Sequence, residues 1–92
     1  MIKEELEQKL ETLHQYVTDN PDAELKMIDE SGSFIFATFD TAYESDNGLD
    51  PEEEGYEEYN AIAFCEKTTG ELFEMAYFNI PTEVWHNGKQ II

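Results

Sequence analysis

The chain has 92 residues, and 22 aspartate and glutamate side chains against five lysines give it a formal net charge of −17. Hydrophobic residues make up 40% and aromatic residues 13%, which excludes a chain that is disordered by composition. Because lysine and arginine make most phosphate contacts, an acidic chain without arginine is a poor direct partner for nucleic acid or an anionic membrane. We therefore expect one folded domain over residues 1–92, with an acidic surface that suits a basic protein partner.

The cysteine count and the apolar runs bear on where the protein resides. Cys65 is the single cysteine, so the chain cannot form an intramolecular disulfide. No apolar run approaches the roughly 18 residues that span a bilayer, and the first residues lack the continuous apolar segment of a secretory signal. These features predict a reduced, cytoplasmic protein without membrane association. We also expect no cofactor.

Apolar side chains in the first 19 residues recur at the period of an α-helix. They lie three or four positions apart, which places them on one face of a helix. The residues at this spacing are Ile2, Leu6, Leu10, Leu13 and Val17. The pattern predicts one helix over about residues 2–19, which ends before Pro21 because the residue preceding a proline is pushed out of the helical region.

From residue 23 onward the apolar period changes to two, which is typical of strands, and we expect a sheet over about residues 23–92. Alternating residues 23–27, the turn residues 30–33 and the β-prone run Phe34–Phe39 together predict a hairpin. Tyr59–Glu66 and Glu71–Asn79 flank turn residues 67–70 and predict a second long hairpin.

Asn87-Gly88 lies between apolar-rich flanks and predicts a third, shorter hairpin, because a type I′ turn needs positive φ at both central residues. The predicted fold class is therefore α+β. One N-terminal helix packs on an antiparallel sheet that is built from two long hairpins and a short C-terminal hairpin.

Residues 40–58 interrupt the strand pattern. They contain nine carboxylates, two glycines, a proline and no basic residue, which predicts a long exposed loop. We expect this acidic segment to bind the partner. The candidate binding residues are Tyr43, Glu44, Asp46, Asp50, Glu52, Glu53, Glu54, Tyr56, Glu57, Glu58 and Tyr59.

Closely spaced carboxylates can imitate the phosphates of a nucleic acid and so occupy the basic groove of a DNA- or RNA-binding protein. Tyrosines among these acids could stack where bases would. The expected function is thus a non-enzymatic acidic binding protein that inhibits such a partner. The alternative is an interaction module that meets its partner through the sheet or Trp85, with acids that serve solubility only.

Calcium binding is the other use that an acidic segment suggests. The spacing departs from an EF-hand, because a loop that starts at Asp46 has Gly48 at position three and Pro51 at position six. We therefore expect no designed metal site, and weak divalent-cation binding stays as a further alternative.

Catalysis lacks a sequence signature. His14, His86 and Cys65 could form a dyad or a metal site only if the fold brought them together, and no motif indicates that it does. We expect a protein that is not an enzyme.

Three stretches resemble small uncharacterised acidic proteins of Gram-positive bacteria and their phages. They are Thr41–Leu49, Tyr56–Tyr59 and Asn79–Trp85. The resemblance covers about residues 34–92 and implies no activity.

Thr41–Ser45 and Tyr59–Phe64 are also similar to phage uracil-DNA glycosylase inhibitors, which are acidic DNA mimics that combine helices with an antiparallel sheet. This similarity implies the class of nucleic-acid mimic. Leu25–Gly32 departs from the inhibitors, which carry a Glu-Ser-Ile strand and a second helix after the first. No inhibitory residue is therefore carried over to this chain.

Overall fold

The computed structural model of the protein describes residues 2–92, so Met1, the first residue of the predicted domain, lies outside the described residues. Residues 2–92 form one α-helix, a short 3-10 helix and one six-stranded antiparallel sheet, which confirms the predicted α+β class. The elements are α1 (Lys3–Asp19), β1 (Glu24–Ile28), β2 (Phe34–Asp46), β3 (Glu58–Glu66), β4 (Leu72–Met75), the 3-10 helix (Tyr77–Asn79), β5 (Glu83–His86) and β6 (Lys89–Gln90). The strand order is β4-β3-β2-β1-β5-β6.

Helix α1 begins at Lys3, one residue after the predicted start, and buries three of the five residues of the predicted stripe. Ile2 precedes the helix and is exposed, and Leu6 is half-buried. Leu10, Leu13 and Val17 are buried against the sheet. At the C-terminal end, the backbone N–H and the side-chain amide of Asn20 both donate to the carbonyl of Tyr16, at 2.9 and 3.0 Å. These bonds satisfy a carbonyl that has no partner within the helix, so α1 ends where the proline signal predicted.

The turn between β1 and β2 forms around one aspartate. The Asp29 carboxylate accepts backbone N–H bonds from Ser31 at 2.9 Å and Ser33 at 3.2 Å. Gly32 takes a positive φ of 87°, which glycine adopts without steric cost. These contacts lower the pKa of the Asp29 carboxyl, chiefly through the Ser31 hydroxyl that donates to it. The first predicted hairpin is therefore confirmed.

The prediction of a loop over residues 40–58 is wrong at both ends. Strand β2 continues to Asp46 and β3 begins at Glu58, so the loop covers only residues 47–57. β2 and β3 pair from Ala37↔Glu66 to Asp46↔Glu58 and form the longest hairpin of the sheet. The many acidic residues of this segment favoured a loop, because aspartate and glutamate have low strand propensity. The backbone hydrogen bonds to β3 outweigh this preference.

The second predicted hairpin forms, but its answering strand is shorter than the predicted Glu71–Asn79. β4 ends at Met75, and the chain turns into the 3-10 helix. The Asn79 side chain causes this turn, because its oxygen accepts from the Ala76 N–H at 2.7 Å while its amide donates to the Glu74 carbonyl at 2.9 Å.

The C-terminal hairpin has the predicted turn. Asn87 and Gly88 have φ values of 51° and 78°, as a type I′ turn requires. β5 pairs with β1 through Met27↔Val84, so the C-terminal hairpin extends the sheet beside β1.

The two faces of the sheet differ. One face packs against α1 through Leu25, Met27, Ile62, Phe64 and Val84, which are all buried. The opposite face, called the open sheet face below, is not covered by α1. It presents Lys26, Ile28, Phe34, Phe36, Leu72 and Trp85, which the strand registers place on one side.

Candidate partner-binding site

The eleven predicted binding residues lie together at one end of the molecule. Tyr43, Glu44 and Asp46 belong to β2, Glu58 and Tyr59 to β3, and the remaining six to the loop that joins these strands. We call this region, residues 41–62, the acidic hairpin end. The pairing of β2 with β3, which the sequence reading missed, holds the two halves of the predicted site in one hairpin.

The residues alternate between the two faces of the hairpin. Tyr43 pairs with Ala61 on the side of the open sheet face, and its hydroxyl donates to Glu74 at 2.5 Å. Glu44 pairs with Asn60 and follows Ala42 and Ile62 on the side of α1. A flat partner surface could therefore contact only a subset of the eleven residues at once.

The loop of the acidic hairpin end is held by its own backbone bonds. The Asn47 N–H donates to the Glu57 carbonyl at 3.1 Å, and the Asn47 amide donates to the Gly55 carbonyl at 2.7 Å. Further backbone bonds run from Glu53 to Asp50 at 2.9 Å and from Tyr56 to Glu53 at 3.2 Å. Local order of this kind lowers the entropy cost that a flexible loop has on binding.

Like charges stand directly opposite each other where the strands end. Asp46 faces Glu58 in the register, an arrangement that destabilises an antiparallel pair. Each carboxylate has a separate donor, since Asp46 accepts from the Gly48 N–H at 2.8 Å and Glu58 accepts from the Tyr56 hydroxyl at 2.7 Å. The bond with Glu58 raises the pKa of Tyr56 to about 12.

Glu57 is the one carboxylate of this end that has a cation partner among the described residues. Its two oxygens accept from the Tyr77 hydroxyl at 2.5 Å and from Lys3 Nζ at 3.0 Å. These bonds, that of Tyr77 first, hold the pKa of the Glu57 carboxyl below its usual value, and the bond to Glu57 raises the pKa of both Tyr77 and Lys3. The other seven carboxylates between residues 44 and 58 form no ion pair within residues 2–92.

A cleft of about 360 Å³ separates the acidic hairpin end from α1. Glu7, Glu11 and His14 line it from the helix, and Glu44 and Tyr77 line it from the other side. The helix therefore adds carboxylates to the site that the sequence reading did not assign. The sequence contained a signal for this helix face, because Glu7, Glu11 and His14 lie four and three positions apart, beside the apolar stripe.

The groups considered for catalysis or metal binding lie apart. Nδ1 of His86 is 2.5 Å from the hydroxyl of Tyr16 on the helix side, whereas Cys65 lies on the open sheet face. Among residues 2–92, no group of three or more histidine, cysteine or acidic side chains is placed to hold a metal ion. Trp85 is half-buried on the open sheet face, where its indole N–H donates to Glu83 at 3.0 Å.

Comparison with known proteins places the chain in a family. The model of the family described as cognate immunity protein YxxD matches residues 5–70, from α1 to the turn after β3. No curated protein and no solved structure matches the chain significantly, so the similarity to uracil-DNA glycosylase inhibitors has no support from these comparisons. Within residues 2–92, no helix combines the length and the apolar content that crossing a membrane requires. Because the family model covers well over half of its residues, the chain belongs to the YxxD family of cognate immunity proteins.

Proposed function

We propose that this protein binds a toxin and blocks it, and that the acidic hairpin end is the surface that contacts the toxin. The family supports the role, since a cognate immunity protein is defined by the toxin that it neutralises. The observation that carries the choice of surface is the set of seven carboxylates on one ordered hairpin that have no ion pair among residues 2–92, beside a single ion-paired one, Glu57.

Order in the acidic hairpin end favours binding. Hydrogen bonds from Tyr56 to Glu58 and from Tyr77 to Glu57 fix two carboxylates in place before any partner arrives. Groups that are already oriented lose less conformational entropy on binding than free side chains do. The repulsion between Asp46 and Glu58 would also be relieved by a cation from the toxin, so binding removes a cost that the free protein carries.

The surface chemistry defines the toxin surface that fits it. The seven carboxylates that have no ion pair in the described part of the chain suit lysine and arginine side chains on the partner, and such a basic surface is what nucleic-acid-binding proteins present. Glu44 and Asp46 lie two residues apart on β2, a separation of about 6.6 Å along one face. We therefore propose that the toxin surface is basic and that the acidic hairpin end takes the place of a nucleic acid on it.

The test begins with capture of the toxin from bacterial lysate at low salt, followed by titration of the purified toxin. Affinity is expected to fall by at least about tenfold between roughly 50 mM and 300 mM salt, because exposed charges are screened. Competing RNA or duplex DNA is expected to displace the protein if the toxin surface binds nucleic acid.

Two variants with equal charge changes locate the surface. One replaces Glu52, Glu53 and Glu54 of the loop by glutamine. The control makes the corresponding amide changes at Asp22, Glu30 and Glu71, three exposed acids in the turns away from the acidic hairpin end. Affinity should fall strongly in the first variant and little in the control. Equal losses, or no loss in either, would contradict the proposed surface.

A further inference from the structure

The open sheet face exposes large apolar side chains on β2 and on β4, the two strands that flank β3. Phe34 is 54% exposed, Phe36 38% and Leu72 63%. Phe36 lies beside Lys26 of β1, which in turn lies beside Trp85 of β5. Contiguous exposed apolar surface on a soluble protein usually marks a site of association.

This face also has a charge balance unlike that of the rest of the molecule. Its charged side chains are Lys26, Glu24, Glu74 and Glu83, and Lys67 reaches it from the turn after β3. Lys67 forms an ion pair with Glu24 at 2.5 Å, and Lys26 Nζ lies 4.3 Å from the centroid of the Phe34 ring. Two lysines thus stand against three glutamates here, a net charge of −1, which leaves three lysines against 19 acids elsewhere in the chain of five lysines and 22 acids.

We infer that the open sheet face binds a second copy of this chain. Two molecules that each carry a charge of −17 repel one another on every strongly acidic surface, so they can meet closely only where the net charge is near zero. In a two-fold interface the same patch faces itself, and a patch with both lysines and glutamates can pair opposite charges across the axis. A basic partner, in contrast, gains most at the acidic hairpin end.

The size of the face predicts a weak dimer. The five strands from β4 to β5 lie about 4.8 Å apart and therefore span roughly 19 Å. A standard interface buries about 800 Å² per partner, or roughly 28 Å on a side. We therefore expect a dimer that dissociates on dilution.

Salt should change the strength of this self-association and of toxin binding in opposite directions. Added salt screens the repulsion between two acidic molecules and leaves apolar burial intact, so the dimer should become stronger. Binding through the acidic hairpin end should become weaker under the same conditions. The two surfaces are thus distinguished before any substitution is made.

Sedimentation equilibrium of the whole chain is the test. Between about 10 µM and 500 µM protein, the weight-average mass should rise from 10.7 kDa towards twice that value, and it should rise further at higher salt. A mass that stays at 10.7 kDa at every protein and salt concentration would overturn the inference.

Matched charge variants assign the association to the face. Lys26→Glu and Lys9→Glu both change the net charge from −17 to −19, but only Lys26 lies on the open sheet face. Lys26→Glu should weaken self-association at least tenfold, and Lys9→Glu should change it much less. Equal effects of the two variants would show that total charge and not this face governs association, and would overturn the inference.

Phe36→Ser gives an independent check, with circular dichroism to verify the fold. It should weaken self-association and leave the affinity for the captured toxin unchanged. If Phe36→Ser weakens toxin binding while the parent protein is monomeric, the face belongs to the toxin and the inference is wrong.

Discussion

Tyr77 and Glu57 are joined by a hydrogen bond of 2.5 Å from the tyrosine hydroxyl to the carboxylate, although they lie 20 positions apart. Lys3 completes the contact, since its Nζ donates to the other carboxylate oxygen and lies 5.0 Å from the centroid of the Tyr77 ring. The first turn of α1, the end of the loop and the 3-10 helix therefore meet at one carboxylate. This contact fixes the acidic hairpin end relative to the helix.

We expect Glu57 to contribute to the pH dependence of stability. Its pKa is lowered in the folded state, so its contribution is present above the ordinary glutamate pKa and is lost as the pH falls through the folded value. The free energy of unfolding, measured in urea at neutral and at acid pH, should therefore change less in Glu57→Gln than in the parent. Glu52→Gln, at an exposed loop carboxylate, is the control and should keep the parent's pH dependence. If the free energy of unfolding changes equally between the two pH values in the parent and in Glu57→Gln, this role is ruled out.

The Tyr56 hydroxyl should ionise at a higher pH than an ordinary tyrosine. Its pKa in the folded protein is about 12, above the ordinary value of 10.0, because the Tyr56 hydroxyl donates a hydrogen bond to the Glu58 carboxylate. The stabilisation from this bond is thus complete below the ordinary value and is lost as the pH rises through about 12. Ultraviolet titration of tyrosinate should lose one late-ionising group in Tyr56→Phe, and that group should move towards lower pH in Glu58→Gln. Tyr43 and Tyr77, whose pKa values are also raised, should ionise late in all three proteins. Ionisation of Tyr56 at its ordinary pKa would show that the bond to Glu58 is not formed in solution.

Leu13 should be among the most sensitive positions of the core. It is fully buried between α1 and the sheet, so Leu13→Ala should lower the free energy of unfolding by about 2–5 kcal/mol. Leu72→Ala makes the same chemical change at a side chain that is 63% exposed and should cost no more than about 0.5 kcal/mol. Urea unfolding of both variants measures the difference. Similar losses would mean that α1 does not cover the sheet through this stripe.

The C-terminal turn predicts a difference between two adjacent positions. Gly88 has a φ of 78°, and a side chain there would meet open space but strained backbone. Gly88→Ala should therefore cost about 1–2 kcal/mol in thermal or urea unfolding. Asn87→Gly, at a φ of 51°, keeps the left-handed conformation accessible and should cost less than about 1 kcal/mol. The reverse order of the two effects would argue against a type I′ turn.

Local periodicity was enough to predict the parts of the fold that short segments determine. The stripe through Leu10, Leu13 and Val17, the turn at residues 30–33 and the Asn87-Gly88 turn depend on neighbouring residues only. The strand order was not predictable in the same way, because the pairing of β1 with β5 joins residues that lie far apart in the chain.

Within the candidate site, composition singled out the acidic segment but did not predict its secondary structure. Acids at Asp40, Glu44 and Asp46 indicated a loop, whereas pairing with β3 keeps this segment in a strand. The contributions of Glu7 and Tyr77 were not assigned, because both approach the site only when α1 and the 3-10 helix pack beside the hairpin. Whether the eleven residues bind a partner stays a prediction.

The register shift between Phe39 and Thr41 divides β2 into two parts. The inner part supplies Ala37 to the buried core, whereas the outer part carries the acids and contributes no fully buried side chain. Changes at well-separated positions usually have independent effects on stability. On the proposed function, recognition can therefore change in the outer part without weakening the scaffold. Descendants of one immunity protein could follow a diverging toxin by exchanging surface acids alone, while the inner part of β2 stays the same.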